Sequence, residues 1–151
     1  MTASTLSGCK MKTLEEKARA IHQLLEMTYE KSPWTLEQVL ADMQQDQTDY
    51  FLIEEQGKLL AFLAIQSLIG ETEITNIAVL PSHQGRGLAS QLMRHLDEII
   101  GDIFLEVRES NRKAQGLYRK FGFEFVGKRQ AYYHDPIEAA LVMKREGKHD
   151  R

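Results

Sequence analysis

Ile77-Ala78-Val79-Leu80-Pro81-Ser82-His83-Gln84-Gly85-Arg86-Gly87-Leu88-Ala89-Ser90 is the stretch on which the fold turns. Its apolar start reads as a buried strand, Pro81 stops that strand, two glycines make a loop and Leu88 opens a helix. The first amides of a helix have no partner within it, and glycines let a bound group come close to the main chain. A diphosphate suits such a cradle. On this segment alone, an ordinary glycine turn leading into a helix accounts for the pattern equally well.

Upstream, the apolar residues Ala18, Ile21, Leu25 and Met27 recur at roughly helical spacing from Leu14 and predict an amphipathic helix to Glu30, broken by Ser32-Pro33. Thr35-Leu36-Glu37-Gln38 has capping-box form, so a second helix starts there and runs to Gln44. Tyr50 to Glu54 reads as a strand, Gln56-Gly57 as a tight hairpin turn and Leu59 to Ser67 as the antiparallel partner. Thr72 to Val79 completes the meander. Residues 1–11 lack periodicity and are expected to form a flexible tail.

Downstream, Leu88, Leu92, Leu96 and Ile99 share one face of a helix from Gly87 to Ile99, and Ile103 to Val107 reads as a strand. Asn111 to Phe121 reads as a helix with Ala114, Leu117, Tyr118 and Phe121 on its apolar stripe and Gly122 as its stop. Phe123 to Ala131 and Ala139 to Lys144 make a closing hairpin around Asp135-Pro136. The expected fold is a mixed α/β sheet in one domain over residues 12–146, with a short tail at 147–151. It comprises two N-terminal helices, an antiparallel meander, a strand-helix-strand-helix unit and the C-terminal hairpin.

Gly85-Arg86-Gly87-Leu88-Ala89-Ser90 nearly matches the G-x-G-x-x-G of dinucleotide folds, and Glu106 lies about 20 residues on, where a ribose-binding acid belongs. The context argues against that fold. Such a motif opens a run of parallel βα units, whereas here an antiparallel meander comes first and little chain follows.

Composition narrows the function classes. The chain has 151 residues, 42% of them hydrophobic, enough for one core. With a net charge of -3 there is no electrostatic ground for nucleic acid or an anionic membrane as partner. Cys9 is the only cysteine and reads as an inert thiol, which rules out an internal disulfide and a cysteine-rich zinc site. The five histidines do not pair at i, i+4 spacing, so no metal is expected. No apolar run approaches the ~20 residues of a membrane span and the start lacks a secretory signal, so the expected compartment is the cytoplasm.

Gln84-Gly85-Arg86-Gly87-Leu88-Ala89 fits Q/R-x-x-G-x-G/A, the acetyl-coenzyme A loop of the GNAT superfamily of N-acetyltransferases. Asn111-Arg112-Lys113-Ala114 and Leu117-Tyr118-Arg119-Lys120-Phe121-Gly122-Phe123 resemble that superfamily's N-x-x-A-x-x-L-Y-x-x-x-G-F signature. The order of elements from Leu14 to Lys144 also matches. Asn76-Ile77-Ala78-Val79, Leu105-Glu106-Val107-Arg108-Glu109-Ser110-Asn111, Tyr132-Tyr133 and Ser32-Pro33-Trp34-Thr35 resemble the RimI-type ribosomal-protein N-terminal alanine acetyltransferases. The resemblance implies acetyl-coenzyme A as cosubstrate and a protein N-terminus as acceptor, in that family the N-terminal alanine of small-subunit ribosomal protein eighteen. Two departures touch the pattern: a short connection into the Glu106 strand, and an abbreviated turn after Tyr133, in the region that receives the peptide.

The resemblance also assigns roles. Attack on a thioester needs a neutral amine, and the family match places Glu106 beside the acetyl group as general base, directly or through water. A solvated strand glutamate paired with Arg108 is the competing reading. Tyr118 matches the superfamily's general acid for the departing thiolate, although its place on the helix stripe also suits a core aromatic. The backbone of Ile77, Ala78 and Val79 would take the pantetheine arm as a strand neighbour, and Gln84, Gly85, Arg86, Gly87, Leu88, Ala89 and Ser90 the diphosphate. Asn111 would hydrogen-bond the pantetheine or cap its helix. Trp34, Tyr132 and Tyr133 would line the peptide groove or simply pack, and Glu73 is a reserve base. Two other functions fit less well: acetylation of a small amine such as a polyamine or aminoglycoside, and a coenzyme A-binding module without turnover. Oligomeric state is not legible in the sequence.

Overall fold

The computed structural model describes residues 2–5, 13–29, 32–134 and 136–147. The elements are β1 (Thr2–Thr5), α1 (Leu14–Thr28), α2 (Leu36–Met43), β2 (Thr48–Glu55), β3 (Lys58–Leu68), β4 (Glu71–Val79), α3 (Leu88–Met93), β5 (Asp102–Arg108), α4 (Arg112–Lys120), β6 (Glu124–Tyr133) and β7 (Glu138–Arg145). The chain divides into two compact units, residues 1–66 with 76–96 and residues 67–75 with 97–151, and β4 contributes to each.

In the first unit the Thr13 hydroxyl caps α1 by accepting the Glu16 amide at 3.0 Å. Ala18, Ile21, Leu24 and Leu25 are buried beneath that helix. Met27, expected on the same face, is 61% exposed, because a residue two places from Leu25 lies about 200° round a helix. Both arms of the capping box form at α2, Gln38 N–H to Thr35 Oγ1 at 3.2 Å and Thr35 N–H to Gln38 Oε1 at 2.8 Å. The Tyr50 hydroxyl ties α2 to β2 through Asp42 Oδ2 at 2.5 Å; burial and the Asp42 carboxylate together push the phenol well above its usual range.

Strands of this unit follow the order β1-β2-β3-β4. The hairpin turn falls at Gln56-Gly57 as expected, with φ of 52° and 78°. Residues 2–5, expected within a flexible tail, instead pair antiparallel with β2 from Thr2↔Glu54 to Thr5↔Phe51. The unpaired outer edge of β2 offers backbone partners that a hydrophobicity reading does not see. The rest of that tail, with Cys9, lies outside the described residues.

In the second unit the order is β4-β5-β7-β6. β4 and β5 run parallel from Glu71↔Asp102 to Ile74↔Leu105, while β5 with β7 and β6 with β7 are antiparallel. The mixed sheet is therefore the expected one. α4 ends in a Schellman motif: Gly122 has φ of 90°, its N–H reaches the Arg119 carbonyl at 3.0 Å, and Phe123 N–H reaches that of Tyr118 at 3.0 Å. Phe123, 1% exposed, packs edge-on against Tyr118, with centroids 6.1 Å apart, so the stop signal also seats the tyrosine.

Candidate active site

The glycine loop is built inside the first unit. Leu80 N–H donates to the Leu60 carbonyl at 2.8 Å, and Pro81, Ser82 and His83 make one tight 3-10 turn. Gln84 Nε2 then reaches back to the Val79 carbonyl at 3.2 Å and folds the loop entry against the strand end. Gly85 and Gly87 have φ of 80° and 82°, in the left-handed region, and a Cβ at either would meet no atom within 4 Å. Glycine is thus required for conformation, and the space beside it is open. The first intrahelical bond of α3 runs from Gln91 N–H to the Gly87 carbonyl at 3.0 Å, so the amides of Leu88, Ala89 and Ser90 precede the helix ladder. Arg86 is exposed on this loop.

The parallel register of β4 with β5 stops at Ile74, so Ile77, Ala78 and Val79 follow the end of that ladder. The helix after the loop is shorter than expected. α3 ends at Met93, a 3-10 turn covers Arg94–Leu96, and Ile99 belongs to neither. Leu88, Leu92 and Leu96 are buried but Ile100 is 56% exposed, so no core contact draws the helix onward. Trp34 is half-buried in this unit, its carbonyl accepting the Ser32 hydroxyl at 2.6 Å.

The acid-base residues lie in the second unit. Ile103, Leu105 and Val107 are buried, so strand alternation sends Glu106 to the opposite face. The Glu106 side chain is 17% exposed, and its Oε1 accepts the Tyr132 hydroxyl at 3.3 Å. Arg129 Nε lies 3.3 Å from Oε2, yet this buried oxygen has no hydrogen-bond partner among the described residues. A shielded carboxylate oxygen with a vacant lone pair can accept a proton from an amine. The competing pairing with Arg108 does not form: Arg108 pairs with Glu138 at 3.2 Å and donates to the carbonyls of Pro136 and His134 at 3.2 and 3.1 Å.

Glu73 faces Glu106 electrostatically. Burial first, then the Glu106 charge, push its carboxyl upward, with Arg129 pulling it down and Glu71 adding to the rise. Burial likewise raises the Tyr132 phenol, followed by the charge and hydrogen bond of Glu106. Tyr132 and Tyr133 meet edge to face with centroids 5.0 Å apart, and Arg108 lies over the Tyr133 ring at 4.4 Å. Tyr118 is 6% exposed on α4. Asn111 caps that helix, Oδ1 accepting Ala114 N–H at 3.1 Å.

Three residues that matter here carry no local sequence signal. Gln115 is buried and donates to the carbonyls of Arg108 and Glu109 at 3.1 and 2.9 Å, fixing the end of β5. Glu138 accepts Ser110 N–H at 2.6 Å besides pairing with Arg108, and these bonds hold its carboxyl below the usual range. Arg129 reaches Glu106 only because of the strand register.

Residues 12–123 match the family model described as Acetyltransferase (GNAT) family. The chain belongs to the GNAT acetyltransferase family. This acetyltransferase is 36% identical over 118 residues to the ribosomal protein bS18-alanine N-acetyltransferase of Escherichia coli strain K12, covering 74% of this chain and 79% of that one. It is 33% identical over 121 residues to N-alpha-acetyltransferase RimI of Mycobacterium tuberculosis, covering 76% of each. The crystal structure of the Escherichia coli ribosomal-protein-S18-alanine N-acetyltransferase matches with a TM-score of 0.84 at 28% identity, over 99% of this chain and 96% of that one. The acetyltransferase is thus an enzyme of the N-acetyltransferase class with the GNAT fold.

Among the described residues of the acetyltransferase, no group of three or more His, Cys, Asp or Glu could hold a metal ion, and no helix is long and apolar enough to cross a membrane.

Proposed function

We propose that the enzyme transfers acetyl from acetyl-coenzyme A to the N-terminal α-amine of a protein, with the N-terminal alanine of small-subunit ribosomal protein eighteen as the leading acceptor, and that residues 12–146 act as its catalytic domain in the cytoplasm. The observation that carries the chemistry is the buried Oε2 of Glu106, which has no hydrogen-bond partner among the described residues. The acceptor is supported by relatives whose names specify bS18-alanine.

Acetyl-coenzyme A supplies the acetyl group as an activated thioester. The residues of the loop fit its diphosphate: Gly85 and Gly87 leave open space, and the amides of Leu88, Ala89 and Ser90 precede the α3 ladder. Gln84 and Arg86 flank that cradle, and the backbone of Ile77, Ala78 and Val79 would take the pantetheine arm. Asn111 already uses Oδ1 for its cap, so its part would fall to the amide nitrogen. Glu106 takes a proton from the acceptor ammonium and leaves a neutral amine, whose nitrogen bonds to the acetyl carbon as the carbon–sulfur bond breaks. Tyr118 gives its proton to the sulfur, and the second proton that the nitrogen sheds on becoming an amide returns to the Tyr118 phenolate through solvent. Trp34, Tyr132 and Tyr133 would line the path of the peptide.

The test is to incubate enzyme, acetyl-coenzyme A and a peptide beginning Ala-Arg, and to locate any added acetyl by mass spectrometry. Acetyl on the α-nitrogen is expected. A second reading, a polyamine acceptor, draws on the Glu73 and Glu106 carboxylates, which interact through their charges. Acetylation of spermidine but of no peptide would replace the first reading by the second.

A further inference from the structure

We propose that Arg129 is a positioning residue for the transfer step, holding the Glu106 carboxylate so that Oε2 stays oriented and open to the acceptor amine. The inference rests on the reading of Glu106 as the base.

Three observations carry it. The first is the local charge inventory. The charged and titratable groups that act on Glu106 and Glu73 are Glu71 from β4 and Arg129 and Tyr132 from β6. Lys144 pairs with Asp102 at 3.4 Å and Arg108 with Glu138 at 3.2 Å. Arg129 is the cation that lies against Glu106, and its charge opposes the rise in the Glu73 carboxyl.

The second is geometry at the two oxygens. Tyr132 donates to Oε1, whereas the Arg129 Nε at 3.3 Å from Oε2 makes no hydrogen bond there. Charge is compensated without filling the lone pair that must accept the proton. A guanidinium hydrogen-bonded to both oxygens would hold the carboxylate more tightly and obstruct it as a base.

The third is the shape of β6. Residues 129 and 132 are three apart, and in a regular strand they would face opposite sides of the sheet. The register is irregular between Arg129 and Tyr133, and Ala131 has φ of 50°. This bulge brings both side chains to Glu106, with the Arg129 guanidinium 5.5 Å from the centre of the Tyr132 ring.

The test uses the full chain with acetyl-coenzyme A and an Ala-Arg peptide, comparing wild type, R129Q, R129K, E106Q and E106Q/R129Q. R129Q is expected to lower kcat about tenfold with either KM changed less than about twofold, and R129K to recover most of the loss. The acidic limb of kcat/KM should move to higher pH in R129Q, because removing the cation takes away the charge that opposes the rise in the Glu73 carboxyl. In the E106Q background R129Q should add less than about a twofold loss, since an indirect role disappears with its target. An unchanged kcat in R129Q beside a slow E106Q overturns the proposal and leaves the base intact. So does an equal loss from R129Q in both backgrounds, which marks an independent contact. Full activity of E106Q removes the base and this inference with it. The Arg129 side chain is 60% exposed, so R129Q should melt like wild type; if it does not fold, R129M with R129K supplies the same comparison.

Discussion

Replacing Gln115 by Leu tests how the Glu106 strand is held. The side-chain amide donates to the carbonyls of Arg108 and Glu109 at 3.1 and 2.9 Å, from a residue only 7% exposed. Leucine keeps the volume and removes both donors. The Arg108 carbonyl retains the Asn111 amide at 2.9 Å, so its loss is one of two bonds, about 0.5–1 kcal/mol. The Glu109 carbonyl loses its 2.9 Å donor, and with an exposed backbone that water can reach this should cost about 1–1.5 kcal/mol. The sum, about 2 kcal/mol, corresponds to a fall of about 4–8 °C in Tm for a chain of this size. Urea unfolding followed by far-UV circular dichroism and by the single tryptophan should show a lower midpoint at unchanged slope. A loss below about 0.5 kcal/mol would refute the reasoning, since the two bonds would then contribute nothing beyond what water supplies.

Other outcomes follow from the same geometry. E106Q and Y118F should each lower kcat by about 10²–10³ while leaving coenzyme A binding, measured by titration calorimetry, within about threefold; unchanged rates would remove both roles. G87A should destabilise by about 1 kcal/mol through its left-handed φ of 82° alone, since the added methyl meets no atom within 4 Å, and should weaken coenzyme A binding; a normal melting temperature would contradict the strain argument. R108A removes the ties to the His134 and Pro136 carbonyls and to Glu138, so the acceptor KM should rise about five- to tenfold with the acetyl-coenzyme A KM unaltered; equal changes in both would sink it. Glu73, raised in the folded state, binds its proton more tightly there than in the unfolded chain, so its contribution falls as pH rises from the unfolded carboxylate value through the folded one. E73Q should therefore gain stability relative to wild type as pH rises through that window, and denaturation at two pH values checks the sign.

Most of the fold was legible because its signals are local. The capping box at Thr35, the Gln56-Gly57 turn, the Gly122 stop and the alternation of Ile103, Leu105 and Val107 each depend on residues within a few positions of one another. The glycine loop is of the same kind: left-handed φ at Gly85 and Gly87 is a property that the residue type announces. Local patterns also explain the misses. The helix after the loop gives way to a 3-10 turn at Arg94–Leu96, which no period of 3.6 reveals, and Thr2–Thr5 forms a strand because β2 has an edge to pair with.

The surroundings of Glu106 belong to the other class. Sequence alone determined that a carboxylate stands on an otherwise apolar strand, facing away from Leu105 and Val107. Only the tertiary structure decided its partners: Arg129 and Tyr132, not Arg108, lie beside it. The reason is that cross-strand contacts depend on register, and one irregularity around Ala131 changes which side chains of β6 face which way. A bulge of that kind is set by how β6 settles on β7, and no run of neighbouring residues encodes it.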